Sequence, residues 1–162
     1  MLRRKVVKTP FLPMVLISDG HHLVKSNFLY DDHDHLRYED VVLEDDTILI
    51  SAANQLDEYF QCQRTDFDLP LLLTGTLFQE KVWQVLQEIP SGQVLTYKEI
   101  AEKVDSPKAA RAVGGACRAN PLLVIVPCHR VLGTNGAYTG YAGDKTYVKV
   151  HLLKLEGGKQ HD

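Results

Sequence analysis

Hydrophobic and polar positions change their period midway along the chain. In the first part the apolar runs are short. FLPMVLI (11–17) contains Pro13, stops at Asp19 and resumes beyond Ser-Asp-Gly-His (18–21), the punctuation of a hairpin, so two strands are expected within 11–30 and not a cleaved leader. DDHDHLRYED (31–40) has no period and reads as a loop. ILISAANQLDEYF places apolar residues at 48, 49, 52, 56, 59 and 60, one face of a helix. Residues 61–75 contain Pro70 and no helical period; they read as a linker, or as a last strand and loop.

The second part is better punctuated. Thr76 with Gln79 forms a capping-box pair, and Phe78, Val82, Val85, Leu86 and Ile89 behind it make one stripe that ends at Pro90-Ser91-Gly92. Thr96 with Glu99 repeats the signature and opens a short helix over 97–104. Ser106 as cap and Pro107 as first helical residue predict a third helix over 108–117. Two short helices joined by a tight turn suggest a helix-turn-helix. The apolar run 122–126 reads as a buried strand ending at Pro127, and a last helix is expected over 146–155, stopped by Gly157-Gly158.

Composition sets the class. With 44% hydrophobic and 24% charged residues in 162, the chain has enough apolar material for a sizeable core, and no run is long enough to span a bilayer. The net charge of −3 hides an asymmetry: residues 1–70 hold 7 basic and 13 acidic side chains, a net −6, and the remainder hold 11 and 8, a net +3. Cys62, Cys117 and Cys128 have no zinc spacing and cannot all pair, which implies a reducing, intracellular setting. His33 and His35 lie among aspartates, but spacing supplies no third ligand, so a solvated loop is the expectation.

Two places break local rules. PKAARAVGGACRANP is a nearly bald helix: Gly114 and Gly115 each cost about 1 kcal/mol against alanine, and Arg111 and Arg118 are the two arginines with reach beyond its own surface. Small residues admit a close approach, either of DNA or of a neighbouring helix. Glu156 closes the last helix, where a carboxylate meets the negative end of the dipole; a histidine donor would offset that, and so would plain solvation. In IVPCHRV (125–131) a cysteine stands beside a histidine. Cys128 is either packed as a small apolar residue or activated as a thiolate by His129, with Glu156 fixing the histidine tautomer; adjacent strand residues face opposite ways, so contact needs a turn or a bridging water.

PCHRV, the preceding SPKAARAVGGACRANP, and the later YAG (141–143) and LEG (155–157) together resemble the O6-alkylguanine-DNA alkyltransferases, over about half the chain, 75–157. The resemblance implies a mixed α/β (α+β) fold: an RNase H-like domain over 1–72 with a small antiparallel sheet and a helix, then a winged-helix-like domain over 73–162 with the helix-turn-helix. It implies direct DNA repair, in which an alkyl group passes once and irreversibly from O6-alkylguanine (less well from O4-alkylthymine) to Cys128, after the base is flipped from the stack. By the same resemblance His129 is the base acting through a water, Glu156 orients it, Asn120 is a hinge and Tyr97 donates a proton to the guanine. Arg111 fills the gap in the stack; Tyr97, Ser106, Ala110, Gly114, Arg118 and Thr134 also contact DNA. Val131, Tyr141, Ala142 and Gly143 line the base pocket. The implied partner is double-stranded DNA held by its minor groove, bound by a monomer in the cytoplasm, or in the nucleus of a eukaryote, with no metal, no cofactor and no membrane. Cooperative binding along DNA is left open. Three residues depart from the family pattern: Ala142 where many members have serine, Asp144 in place of a glycine, and Ala119 in place of a glycine of some members. Two further readings stand beside it, a lesion-sensing DNA-binding protein without transfer, against which an intact PCHRV argues, and a thiol hydrolase.

Overall fold

The computed structural model describes residues 1–137, 141 and 145–157. They form two compact units, Met1–Leu73 with Pro121–Ile125, and Thr74–Asn120 with Val126–Asp162.

The first unit is built on the expected hairpin. Strands β2 (Met14–Ser18) and β3 (Leu23–Phe28) pair antiparallel, and the sheet runs β3-β2-β1-β4. The sequence reading missed β1 (Arg3–Val7), whose three basic residues hide any alternation; it pairs antiparallel with β2 and parallel with the two-residue β4 (Val42–Leu43). All of β2 is buried, so both sheet faces are covered there. Val15 and Ile17 cluster with Leu29 and Tyr38. On the opposite face the Ser18 hydroxyl donates to Asp46 Oδ2 at 2.8 Å, and Asp46 Oδ1 caps helix α1 (Thr47–Phe60) by accepting from the Leu49 N–H at 2.8 Å. Helix α1 thus lies where the 48–60 periodicity puts it. The acidic stretch is not all loop, since Asp34–Tyr38 winds into a short 3-10 turn that buries Tyr38.

The run 122–126 is not a strand. It makes a single bridge, Leu122 to Ser26 of β3, and Val124 then takes φ 73, a left-handed backbone that a β-branched residue rarely adopts and no strand admits. It is buried all the same: the Ser26 N–H donates to Pro121 O and its hydroxyl to Leu123 O, while the Leu123 N–H donates to Ser26 O. The sequence reading assigned this segment to the second domain; its packing assigns Pro121–Ile125 to the first unit.

The second unit is helical. Helix α2 (Leu77–Gln87) and helix α3 (Tyr97–Lys103) both start on complete capping boxes, at Thr76/Gln79 and Thr96/Glu99, as the spacing predicts. Gly75 is obligatory for packing, because a Cβ there would stand 2.6 Å from Trp83 and Gln79 side-chain atoms. Helix α4 (Ala110–Arg118) starts two residues later than expected, and Ser106 is not its cap. Ser106 instead closes α3: its N–H donates to Ala101 O and the Asp105 N–H to Glu102 O, with Asp105 at φ 61, the bond pattern of a Schellman motif. Trp83 Nε1 donates to Ala116 O at 2.9 Å and pins α2 to α4. Helix α5 (Thr146–Leu155) matches its predicted range and ends at Gly157, φ 81. Two-residue strands β5 (Leu95–Thr96) and β6 (Val131–Leu132), too short to leave a pattern, pair in parallel.

Candidate active site

Cys128 is delivered by a turn. Pro127 sits at φ −81, ψ 64 and the Cys128 N–H donates back to Val126 O at 2.8 Å, an inverse γ-turn. Cys128–Arg130 then forms one 3-10 turn, with the Arg130 N–H on Pro127 O at 3.0 Å. The bend needed to free Cys128 and His129 from opposite strand faces is therefore built in. Asn120, at the end of α4, holds the turn from the other side: its Nδ2 donates to Val126 O at 2.8 Å and reaches the Cys128 sulfur at 3.2 Å. The thiol is 4% exposed. Burial pushes it up to about 11, against the opposing pull of the Asn120 amide and the Lys149 charge, so at neutral pH it is a thiol.

The neighbouring imidazole is held by a buried ionic cluster. His129 is fully buried, and its Nε2 lies 2.8 Å from Glu156 Oε2. Arg130 clamps the same carboxylate with two bonds, Nε to Oε1 and Nη2 to Oε2, both 2.9 Å, and gives Nη1 to Ile89 O at 2.6 Å. Burial raises the Glu156 carboxyl, but His129 and Arg130 outweigh it and hold the group well below the usual carboxylate range. Burial depresses His129, and this outweighs the attraction of Glu156; Arg130 and Lys149 push the same way. The ring is thus neutral beside an ionised carboxylate whose countercharge is Arg130. A carboxylate only accepts, so Nε2 must carry the proton, and Nδ1 keeps a free lone pair. That Nδ1 is buried with no hydrogen-bond partner among the described residues. The dipole penalty expected for Glu156 is offset by three hydrogen bonds. Arg130 was missed by sequence reasoning, although a buried carboxylate beside a neutral histidine calls for a second, cationic partner.

The pairing of Leu95 with Val131 and Thr96 with Leu132 ties the start of α3 to the chain just beyond the turn. It places Tyr97 in this neighbourhood, half-buried, where Lys149 Nζ approaches its hydroxyl at 3.4 Å and its ring centroid at 5.5 Å. Val131 and Tyr141 are buried. Ala142, Gly143 and Asp144 lie outside the described residues.

The bald helix serves packing on one side and leaves the other open. Val113, Ala116 and Cys117 are buried, and a Cβ at Gly114 would come within 3.9 Å of the Tyr97 ring. Arg111 and Arg118, seven residues apart and so on one face, are exposed, as are Ala112 and Ala119 between and beside them. Ser106, Ala110 and Gly114 are half-buried, and Thr134, opening a second 3-10 turn (Thr134–Gly136), is exposed. No cluster of three His, Cys, Asp or Glu suited to a metal occurs among the described residues. None of their helices is long and apolar enough to cross a membrane.

Two family models match the chain: the ribonuclease-like domain of 6-O-methylguanine DNA methyltransferase over residues 2–73, and the DNA binding domain of 6-O-methylguanine DNA methyltransferase over 77–158. The chain is 42% identical to a methylated-DNA–protein-cysteine methyltransferase of Methanosarcina acetivorans, covering 94% of this chain and 96% of that one. It is 55% identical to the constitutive methylated-DNA–protein-cysteine methyltransferase of Bacillus subtilis over 67% of this chain and 66% of the relative. A crystal structure of Mycobacterium tuberculosis OGT in complex with DNA superposes with a TM-score of 0.83, at 39% identity, over 96% of this chain and 91% of that one.

Proposed function

The chain belongs to the 6-O-methylguanine DNA methyltransferase family, and from that premise we propose that it repairs O6-alkylguanine in double-stranded DNA by moving the alkyl group onto Cys128. The exposed Arg111/Arg118 face of α4 enters the minor groove, where its small residues permit a close approach. Arg111 fills the gap left by the flipped base; Tyr97, Ser106, Ala110, Gly114, Arg118 and Thr134 position the backbone. The flipped guanine is received by backbone groups around Val131 and Tyr141, and by Ala142 and Gly143. Division of labour follows the sequence: 1–72 is scaffold, 73–162 carries DNA binding and the acceptor.

The observation that carries this reading is the orientation of His129. Glu156 takes its Nε2–H, so the lone pair of Nδ1 is the one available to accept the Cys128 proton through a water. The thiolate attacks the alkyl carbon in line; the C–S bond forms as the carbon–oxygen bond to the base breaks. The electron pair leaves with guanine, which takes a proton from Tyr97. The thiol proton held on His129 then passes through water to the Tyr97 phenolate, so protons and charge balance. The product is a thioether, which offers water no carbonyl to attack, so each molecule acts once. O4-alkylthymine places its alkyl group on a smaller base and reacts less well. The protein acts as a cytoplasmic monomer.

Intact mass after incubation with a duplex carrying one O6-methylguanine tests it. One added methyl, mapped to the Cys128 peptide, is expected. Tight binding with unchanged mass refutes transfer and leaves a lesion sensor, and repeated turnover of a thioester or ester would indicate a hydrolase.

A further inference from the structure

Helix α5 buries Val148, Leu152 and Leu153, and Lys149 falls on the same face at the i, i+3, i+4 spacing. It is 1% exposed. An ammonium in an apolar stripe is costly unless something in the interior uses it. Three elements of its own unit present groups to it. Tyr97 of α3 faces it with its hydroxyl and its ring. The buried Cys117 thiol of α4 is the second, coupled to Lys149 by charge, with Arg118 acting on that same thiol. The third is the acceptor turn, which packs on α5 and carries Cys128, His129 and Arg130.

We propose that Lys149 is a positioning residue of the transfer site: held against Tyr97, its ammonium is the buried charge that favours the Cys128 thiolate over the thiol. The interaction is mutual, since burial lowers Lys149 to about 8 while Cys128 and Cys117 pull it back up. The same charge disfavours an imidazolium at His129, so a proton taken up there is readily given back once the sulfur has been consumed. Lys149 thus biases both ends of the proton's path without touching the alkylated base. The inference deepens the alkyl-transfer reading, but its test needs no DNA.

The full chain is treated with iodoacetamide from pH 6 to 10 and the alkylation rate is read from the Cys128 peptide, which separates it from Cys62 and Cys117. In K149M the Cys128 rate at pH 7.5 is expected to fall about tenfold, one pKa unit, with the thiolate limb displaced to higher pH. K149R, which keeps the charge, is expected to stay near the parent. Trp83 emission reports that each variant is folded; should K149M not fold, K149Q against K149R decides on the same readout. A K149M titration that overlays the parent overturns the proposal, and so does K149R falling as far as K149M. A parent protein that takes up no methyl from damaged DNA overturns the transfer reading alone.

Discussion

Glu156→Gln tests the buried cluster most directly. The Glu156 side chain is 1% exposed and accepts three bonds from His129 and Arg130. Glutamine keeps the shape but removes the charge, leaving the 5% exposed Arg130 guanidinium with an amide in place of its anion. Breaking a buried pair on one side costs about 3–5 kcal/mol, which for a chain of this size lowers Tm by about 6–20 °C. Urea unfolding followed by Trp83 emission isolates the second unit, because Trp83 is the one tryptophan in the sequence. The pH dependence is a second arm. Glu156 is depressed in the folded state, so its contribution is complete above its ordinary value of 4.5 and shrinks as pH falls below that. The gap between parent and E156Q is therefore expected to narrow below pH 4.5, by about 1.4 kcal/mol per pH unit. A loss under about 1 kcal/mol at pH 7, against the expected 3–5, would refute the reasoning. A gap that stays constant down to pH 3 would do so equally.

Other outcomes follow from the same geometry. Asn120→Ala removes the donor to Val126 O and to the Cys128 sulfur, so the thiol is expected to titrate still higher, and the bared carbonyl costs about 1–3 kcal/mol; thiol titration and urea unfolding check both. Gly75→Ala drives a Cβ to within 2.6 Å of the Trp83 ring and is expected to cost about 1–3 kcal/mol, with a shift in Trp83 emission; an unchanged melting curve contradicts the packing argument. Arg111→Ala is expected to slow repair in duplex DNA more than reaction with free O6-alkylguanine, and equal losses on both would remove its role in the stack. Cys128→Ser should bind damaged duplex and gain no methyl, as read by mass.

What could be read from the sequence was what capping chemistry and apolar period encode. The Thr76 and Thr96 boxes, the α2 stripe and the glycine stop of α5 were legible because each is local. Ser106 misled because a serine before a proline looks like a cap, whereas its N–H was already engaged by α3. The run 122–126 misled because burial alone does not make a strand; Val124 at φ 73 is set by tertiary packing that no pattern records. Cys128, His129 and Glu156 are singled out by their chemistry in the sequence, Glu156 by its unfavourable place at a helix end, while Asn120 and Tyr97 are singled out only by the resemblance that the motifs carry. Arg130 and Lys149 are singled out by neither. Lys149 did leave a signal, a charge at a stripe position of α5, which reads as a surface lysine until its spacing to Leu152 and Leu153 is counted.

The excursion of Pro121–Ile125 has a bearing on how such a gene can be shuffled. Asn120 and Val126, which flank the five residues, are stapled together by the Asn120 side chain, while the five themselves hydrogen-bond to Ser26. One crossover near codon 73 would therefore part β3 from the peptide that covers its edge, and would hand the second half an apolar loop selected against a different strand. The two halves are inherited best as a pair, and hybrids between distant relatives are expected to need matched substitutions at Ser26 and within 121–125 before they fold.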